Sequence, residues 1–265
     1  MRNRKLIYTL ITLLFAAGFY FYENDIAENK AKIDTVEIEG FNYFPTSTTG
    51  QIIHHQYYSL SYNEKYEQAE WVAYELNKKQ LSNHNNFKRP YFEQDSKVKT
   101  QSAKYWNYKN SVYNKGHLCP AGDRTFSEEA FNETFLTSNI SPQIYEFNAG
   151  IWNRLEQKIR YWAEKHEKLY IVTGGILNPN LKTIGEENVA VPAYFYKIIL
   201  AYQATDIKAI AFLLPHNISE KGLYQFVVSI DKIEELTGIY FFHELPDEFE
   251  NDLEKNNSYT NWSFR

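Results

Sequence analysis

Between Tyr113 and Tyr161 the chain reads YNKGHLCPAGDRTFSEEAFNETFLTSNISPQIYEFNAGIWNRLEQKIRY, and here lie the residues best suited to chemistry: His117, Asn148, Glu156 and Arg160. Glu156 and Arg160 are four residues apart, so on a helix they stand about 40° from each other, at the border of its apolar face. A carboxylate and a guanidinium placed there are held by the core and still face a cleft. Asn148 lies about two turns earlier, where a side-chain oxygen serves either as a helix cap or as a ligand for a hard cation. Taken singly, each residue has a plainer reading: Asn148 as a cap, Glu156 with Arg160 as a surface ion pair, His117 as a satisfied core histidine. Their combination in one segment carries the functional reading. Cys119, two positions from His117, gives weaker grounds for thiol catalysis, because strand neighbours two apart rarely meet.

These residues need elements to hold them. Ile151, Trp152, Leu155, Ile159 and Trp162 fall on one face at helical spacing, which predicts a helix over about Asn148 to His166. Strands are expected at Tyr57 to Tyr62, Leu169 to Thr173, Tyr194 to Tyr202 and Ile207 to Leu214, bounded by Gly, Pro, Asn or Asp. Ala69 to Leu81 follows helical spacing in part, and Gly222 to Val228 is ambiguous. Ser229 to Gly238 reads as a short helix with a Ser N-cap and a Gly stop.

The 265 residues are 43% hydrophobic and 17% aromatic, which supplies at least one full core and excludes a low-complexity chain. A single cysteine excludes an intrachain disulfide framework and a cysteine-rich zinc cluster. Arg2, Arg4 and Lys5 precede an apolar run from Leu6 to Tyr22 that Glu23 and Asp25 close, the pattern of an export signal. It reads either as an uncleaved anchor with the body outside or as a cleaved peptide with Ala16, Ala17 and Gly18 at the cut. The expected organisation is a signal segment at 1–22, a polar linker at 23–40 and one domain at 41–265.

Several motifs resemble the DNA/RNA non-specific endonucleases, the ββα-metal or His-Me finger nucleases. The family's Asp-Arg-Gly-His element stands as Asn114-Lys115-Gly116-His117-Leu118 with Gly122 after it, and its Asn-x-Ser/Thr-Pro-Gln element as Asn139-Ile140-Ser141-Pro142-Gln143. The family's metal-binding Asn, with the Glu and Arg of the following helix, falls on Asn148, Glu156 and Arg160. The resemblance covers roughly Tyr43 to Leu253. It implies an α+β fold with a central, mostly antiparallel sheet flanked by helices, and a sugar-non-specific endonuclease that leaves 5′-phosphate ends on DNA and RNA.

By the same resemblance, His117 is the general base, a task that suits a side chain of unperturbed pKa about 6.5. Asn148 binds Mg²⁺, with Mn²⁺ as a substitute, and Glu156 accepts hydrogen bonds from the metal's waters. Asn139 orients the site, Arg160 faces the phosphate, and Arg89, in Lys88-Arg89-Pro90, stands for the upstream phosphate-clamping arginine. The membrane is a partner if the N-terminal segment stays attached, and a homodimer is consistent with some relatives. The chain departs from the signature at Asn114, which lacks the negative charge, and at Lys115, which lacks the planar fork. A catalytically weakened nucleic-acid-binding module is therefore the alternative reading.

The net charge of -5 speaks against a protein that coats polyanions. Its distribution is uneven. Residues 86–165 hold 12 basic and 9 acidic side chains, a local balance of +3, which leaves -8 for the rest. A positive cleft on an acidic body should bind nucleic acid weakly, reversibly and with strong salt dependence.

Overall fold

The computed structural model describes residues 42–203, 206–245 and 259–264, together with Gly18 and Tyr20. The chain divides into a small unit, Met1–Gly40 with Gln203–Ile207, and a large one, Phe41–Tyr202 with Lys208–Arg265, which holds the site. The export signal and the linker fall almost entirely outside the described residues. Among the described residues, no helix is long and apolar enough to cross a membrane.

The strands in chain order are β1 (Ile52–His54), β2 (Ser59–Asn63), β3 (Gln68–Asn77), β4 (Tyr113–His117), β5 (Ile140–Ile144), β6 (Lys168–Gly175), β7 (Lys182–Ile184), β8 (Val189–Val191), β9 (Tyr194–Gln203), β10 (Asp206–Pro215) and β11 (Val227–Val228). The helices are α1 (Lys78–Ser82), α2 (Glu128–Glu133), α3 (Asn153–Lys165) and α4 (Ile230–Thr237). A seven-stranded sheet runs β1-β2-β3-β6-β9-β10-β11, while β4 pairs with β5 and β7 with β8 in separate ribbons. The pairings β1–β2, β2–β3, β3–β6, β6–β9 and β10–β11 are all antiparallel.

Alternation along the central strands fixes which side chains meet α3. The registers Val72↔Thr173 and Thr173↔Lys197 put these three residues on one face of the sheet, with Tyr74, Ile171 and Ile199 beside them. Most of that face joins Phe147, Ile151, Trp152, Leu155, Ile159 and Trp162 in one buried apolar cluster. The sequence-predicted face of α3 is thus the face that packs. On the opposite side of the sheet, Phe44 stacks on Trp71 and Phe241 meets the edge of Tyr196.

Two expectations are corrected. The partly helical spacing of Ala69 to Leu81 belongs to β3, with helix only at α1. Nearly every residue of β3 is buried, because the strand lies inside the sheet and is covered on both faces, so the two-residue alternation that marks a strand is missing. Asn77 ends it with a capping box, accepting from the Gln80 amide while the Gln80 side chain accepts from the Asn77 amide. The helix expected from Asn148 begins as α-helix only at Asn153. Phe147–Trp152 forms a wider π-type turn broken at Gly150 (φ -91°, ψ -110°). The α4 expectation matches closely: the Ser229 hydroxyl accepts from the Lys232 amide, and Gly238 closes the helix at φ +69°.

Candidate active site

The site is built on the β4–β5 ribbon and α3. His117 is the last residue of β4 and pairs with Ile140. Asn139, just before β5, holds the chain that leaves His117: its carbonyl accepts from the Leu118 amide at 2.9 Å, and its side-chain oxygen accepts from the Cys119 amide at 2.8 Å. The Asn139 amide nitrogen donates to the Cys119 and Thr134 carbonyls at 3.0 and 2.9 Å. Asn139 is fully buried, so its role is to shape the turn behind His117. From the α3 side, the Trp152 indole donates to the His117 carbonyl at 3.3 Å.

One cavity of about 220 Å³ is lined by His117, Pro120, Ala121, Gly122, Asn148, Asn153, Glu156 and Arg160. The wide turn at 147–152 lets Asn148 and Glu156 reach this cavity together. A Cβ at Gly122 would lie 3.3 Å from Arg160 Nη1, so a larger residue there would push the guanidinium by a few tenths of an ångström. Arg160 donates to Asp123 Oδ1 at 2.5 Å, and Asp123 Oδ2 accepts from the Tyr74 hydroxyl at 3.2 Å. Asp123 is buried, whereas Arg160 keeps part of its side chain in the cavity.

The imidazole of His117 is half-buried, and its Nε2 is buried with no hydrogen-bond partner among the described residues. Phe92 and Phe135 lie against the ring at centroid distances of 5.7 and 5.0 Å. Burial, with the Arg89 charge adding to it, pushes the His117 pKa down to about 3. The ring is therefore neutral across the physiological range. Burial pushes Glu156 up to about 7, with Asp123 raising it further while Lys197 and Arg160 oppose the shift. Burial works against the Arg160 charge, but Asp123 more than compensates, and the guanidinium is held above its ordinary pKa.

On the other flank of His117, Arg89 lies over Phe92 and Phe135 at 5.3 and 5.4 Å, and Lys115 over Phe92 at 5.5 Å. Lys115 shares the His117 face of β4. Asn114 does not: three residues before His117 in a strand, it faces the other way, paired with Gln143. The negative charge that Asn114 lacks relative to the signature is thus missing from the ribbon face turned away from His117. Cys119 is buried, which pushes its thiol up to about 12 and leaves no thiolate for nucleophilic chemistry.

The structure thus gathers His117, Asn148, Glu156 and Arg160 in one cavity, sets Arg89 beside it, buries Asn139 behind it and turns Asn114 away. Sequence reasoning missed Asp123, Asn153, Trp152 and Lys197. Only Asp123 had a nearby signal, as the residue after the family's small position at Gly122.

A two-stranded ribbon ending in a histidine, packed with a helix that presents a carboxylate and an arginine, is the ββα-metal nuclease fold within an α+β domain. The chain matches the family of DNA/RNA non-specific endonucleases over residues 41–248 and belongs to it. It is similar to the mitochondrial nuclease EXOG of Danio rerio, 36% identical over 210 residues, which are 73% of this chain and 61% of that protein. To endonuclease G of Homo sapiens it is 28% identical over 198 residues, 69% of this chain and 67% of that protein. A crystal structure of EndoG complexed with EndoGI superposes with a TM-score of 0.71 at 26% identity, covering 75% of this chain and 88% of that one. The chain spans less than two thirds of the EXOG relatives' length.

Proposed function

We propose that the chain is a divalent-cation-dependent, sugar-non-specific endonuclease that hydrolyses phosphodiester bonds of DNA and RNA and leaves 5′-phosphate ends. The observation that carries this reading is the single cavity shared by His117, Asn148, Glu156 and Arg160.

The donor set fits a hard, largely hydrated cation. Asparagine oxygens at 148 and 153 and one carboxylate face the cavity, and among the described residues no three His, Cys, Asp or Glu side chains gather as a softer metal would need. Asn148 would hold Mg²⁺ or Mn²⁺ directly, with Glu156 accepting hydrogen bonds from its waters. Bound there, the cation supplies positive charge against the phosphate oxygens and the departing 3′ oxygen.

The chain's own residues do the rest. Neutral His117 takes the proton from the attacking water as the water oxygen bonds to phosphorus and the P–O3′ bond breaks. Arg160, aimed by Asp123, faces the phosphate with its remaining donors, and Arg89 and Lys115 add positive charge on the opposite flank. None of these groups reads a base edge, so selection by sequence or sugar is not expected. Export of the body through the N-terminal segment, as a membrane-anchored or released enzyme, belongs to the same proposal, as does a homodimer.

The test is incubation with plasmid DNA and with RNA, in Mg²⁺ and in EDTA, with His117→Ala as control. Cleavage of both substrates that needs the cation and is lost in the variant is expected. Both substrates intact at every Mg²⁺ concentration, with binding retained, would replace this reading with the weakened binding module.

A further inference from the structure

Lys197 lies in β9 with no exposed surface, on the sheet face that packs against α3. Its ammonium donates to the Leu118 carbonyl at 3.2 Å and to Thr173 Oγ1 at 3.3 Å, and stands 4.2 Å from the centre of the Trp152 ring. Leu118 directly follows His117, and Trp152 holds the His117 carbonyl. One buried cation therefore touches both the residue after His117 and the indole that holds the His117 carbonyl.

Among the described residues no carboxylate forms an ion pair with Lys197 within 4.0 Å. The charged and titratable groups that act on it all belong to the site or its turn: Glu156 and Arg160 on α3, Asp123 in the turn at 121–123, and Cys119. Desolvating an ammonium without a direct partner is costly, and an apolar side chain of similar volume is usually no worse for stability. Folding alone does not account for a lysine at this position.

We propose that Lys197 is a positioning residue of this site, whose buried ammonium fixes the backbone directly after His117 and the Trp152 ring that holds the His117 carbonyl. The inference rests on the nuclease reading above. Its physical content is a fixed backbone behind His117, which keeps the imidazole aimed at the cavity.

The test uses the full chain and Lys197→Met. The variant is expected to melt within a few degrees of wild type and to cleave plasmid at least 30-fold more slowly with KM changed less than threefold. A loss of rate no larger than the lowered melting point explains, or a loss that falls on KM alone, overturns the proposal. Lys197→Gln, which keeps a donor, serves the same comparison if the Met variant does not fold. Independently of any cleavage, hydrogen exchange at the Leu118 and Cys119 amides is compared in the variant and wild type. Exchange at least 10-fold faster there, with the amides of the β3–β6 pairing unchanged, is expected, and equal exchange overturns the proposal. If wild type cuts nothing while exchange at the turn speeds up, the nuclease reading fails and the Lys197 anchor stands.

Discussion

The guanidinium of Arg160 donates a 2.5 Å hydrogen bond to the buried carboxylate of Asp123, which the Tyr74 hydroxyl holds from the sheet. A chain of contacts thus runs from the centre of the sheet to the one arginine that lines the cavity. Removing the carboxylate charge while keeping its shape separates aim from packing. Asp123→Asn should lower kcat by about 10- to 100-fold, the scale expected when a positioned group loses its fixed geometry. Stability should fall by about 1.5–3 kcal/mol, the range for a hydrogen bond to a charged group. Steady-state kinetics and a melting curve, measured together, check both numbers.

The pH dependence follows from two opposite shifts. Glu156, raised to about 7, gives up its proton only near neutrality, so cleavage that needs the carboxylate should fall as pH drops through about 7. His117, lowered to about 3, stays neutral over the same window and does not set that limb. A bound cation favours ionised Glu156, so raising Mg²⁺ should move the limb to lower pH. For stability the signs also differ. Glu156 binds its proton more readily folded than unfolded, which adds stability as pH falls from about 7 through its unfolded value. His117 resists protonation in the fold, which removes stability as pH falls below about 6.5. Rate profiles at several Mg²⁺ concentrations would show the predicted movement, and a limb fixed near one pH would contradict it.

Local patterns made much of this legible. The apolar stripe of α3 is a property of consecutive residues, so it placed Glu156 and Arg160 at a core border before any fold was known. The interior strand β3 was not legible, because burial on both faces erases the alternation that marks a strand. The turn at 147–152 was also missed, since a run of apolar residues at helical spacing does not reveal the non-helical backbone at Gly150. Asp123 and Lys197 depend on contacts 37 and 79 residues away in the chain, with Arg160 and Leu118, and no local spacing encodes those.

Asn139 offers a test of how far the site depends on the turn behind His117. Its side chain satisfies the Cys119 amide and two carbonyls, all buried. Asn139→Ala leaves the amide without a partner, and a loss of about 3 kcal/mol is expected from the unpaired groups. Activity should fall further than melting explains, because the Cys119 backbone loses its side-chain anchor. Kinetics measured at least 15 °C below the variant's own midpoint would separate the two effects, and full activity there would show that the turn holds its shape without Asn139.

Gly116 and Gln143 are coupled across the ribbon. A Cβ on Gly116 would overlap the Gln143 side chain, which is fully buried, and neither polar atom of the Gln143 amide has a partner among the described residues. Gly116→Ala should therefore destabilise by about 1–3 kcal/mol, the usual cost of forcing volume into a filled core. It should also slow cleavage, since Gly116 directly precedes His117. Truncating Gln143 removes the obstacle and gives up no observed hydrogen bond. The double variant Gly116→Ala, Gln143→Ala should consequently be more stable than the sum of the single changes by more than about 1 kcal/mol, a coupling typical of residues in contact. Denaturant unfolding of the four proteins in the cycle measures it. Strict additivity would mean that the ribbon yields elsewhere, and that steric exclusion by Gln143 is not what requires glycine before His117.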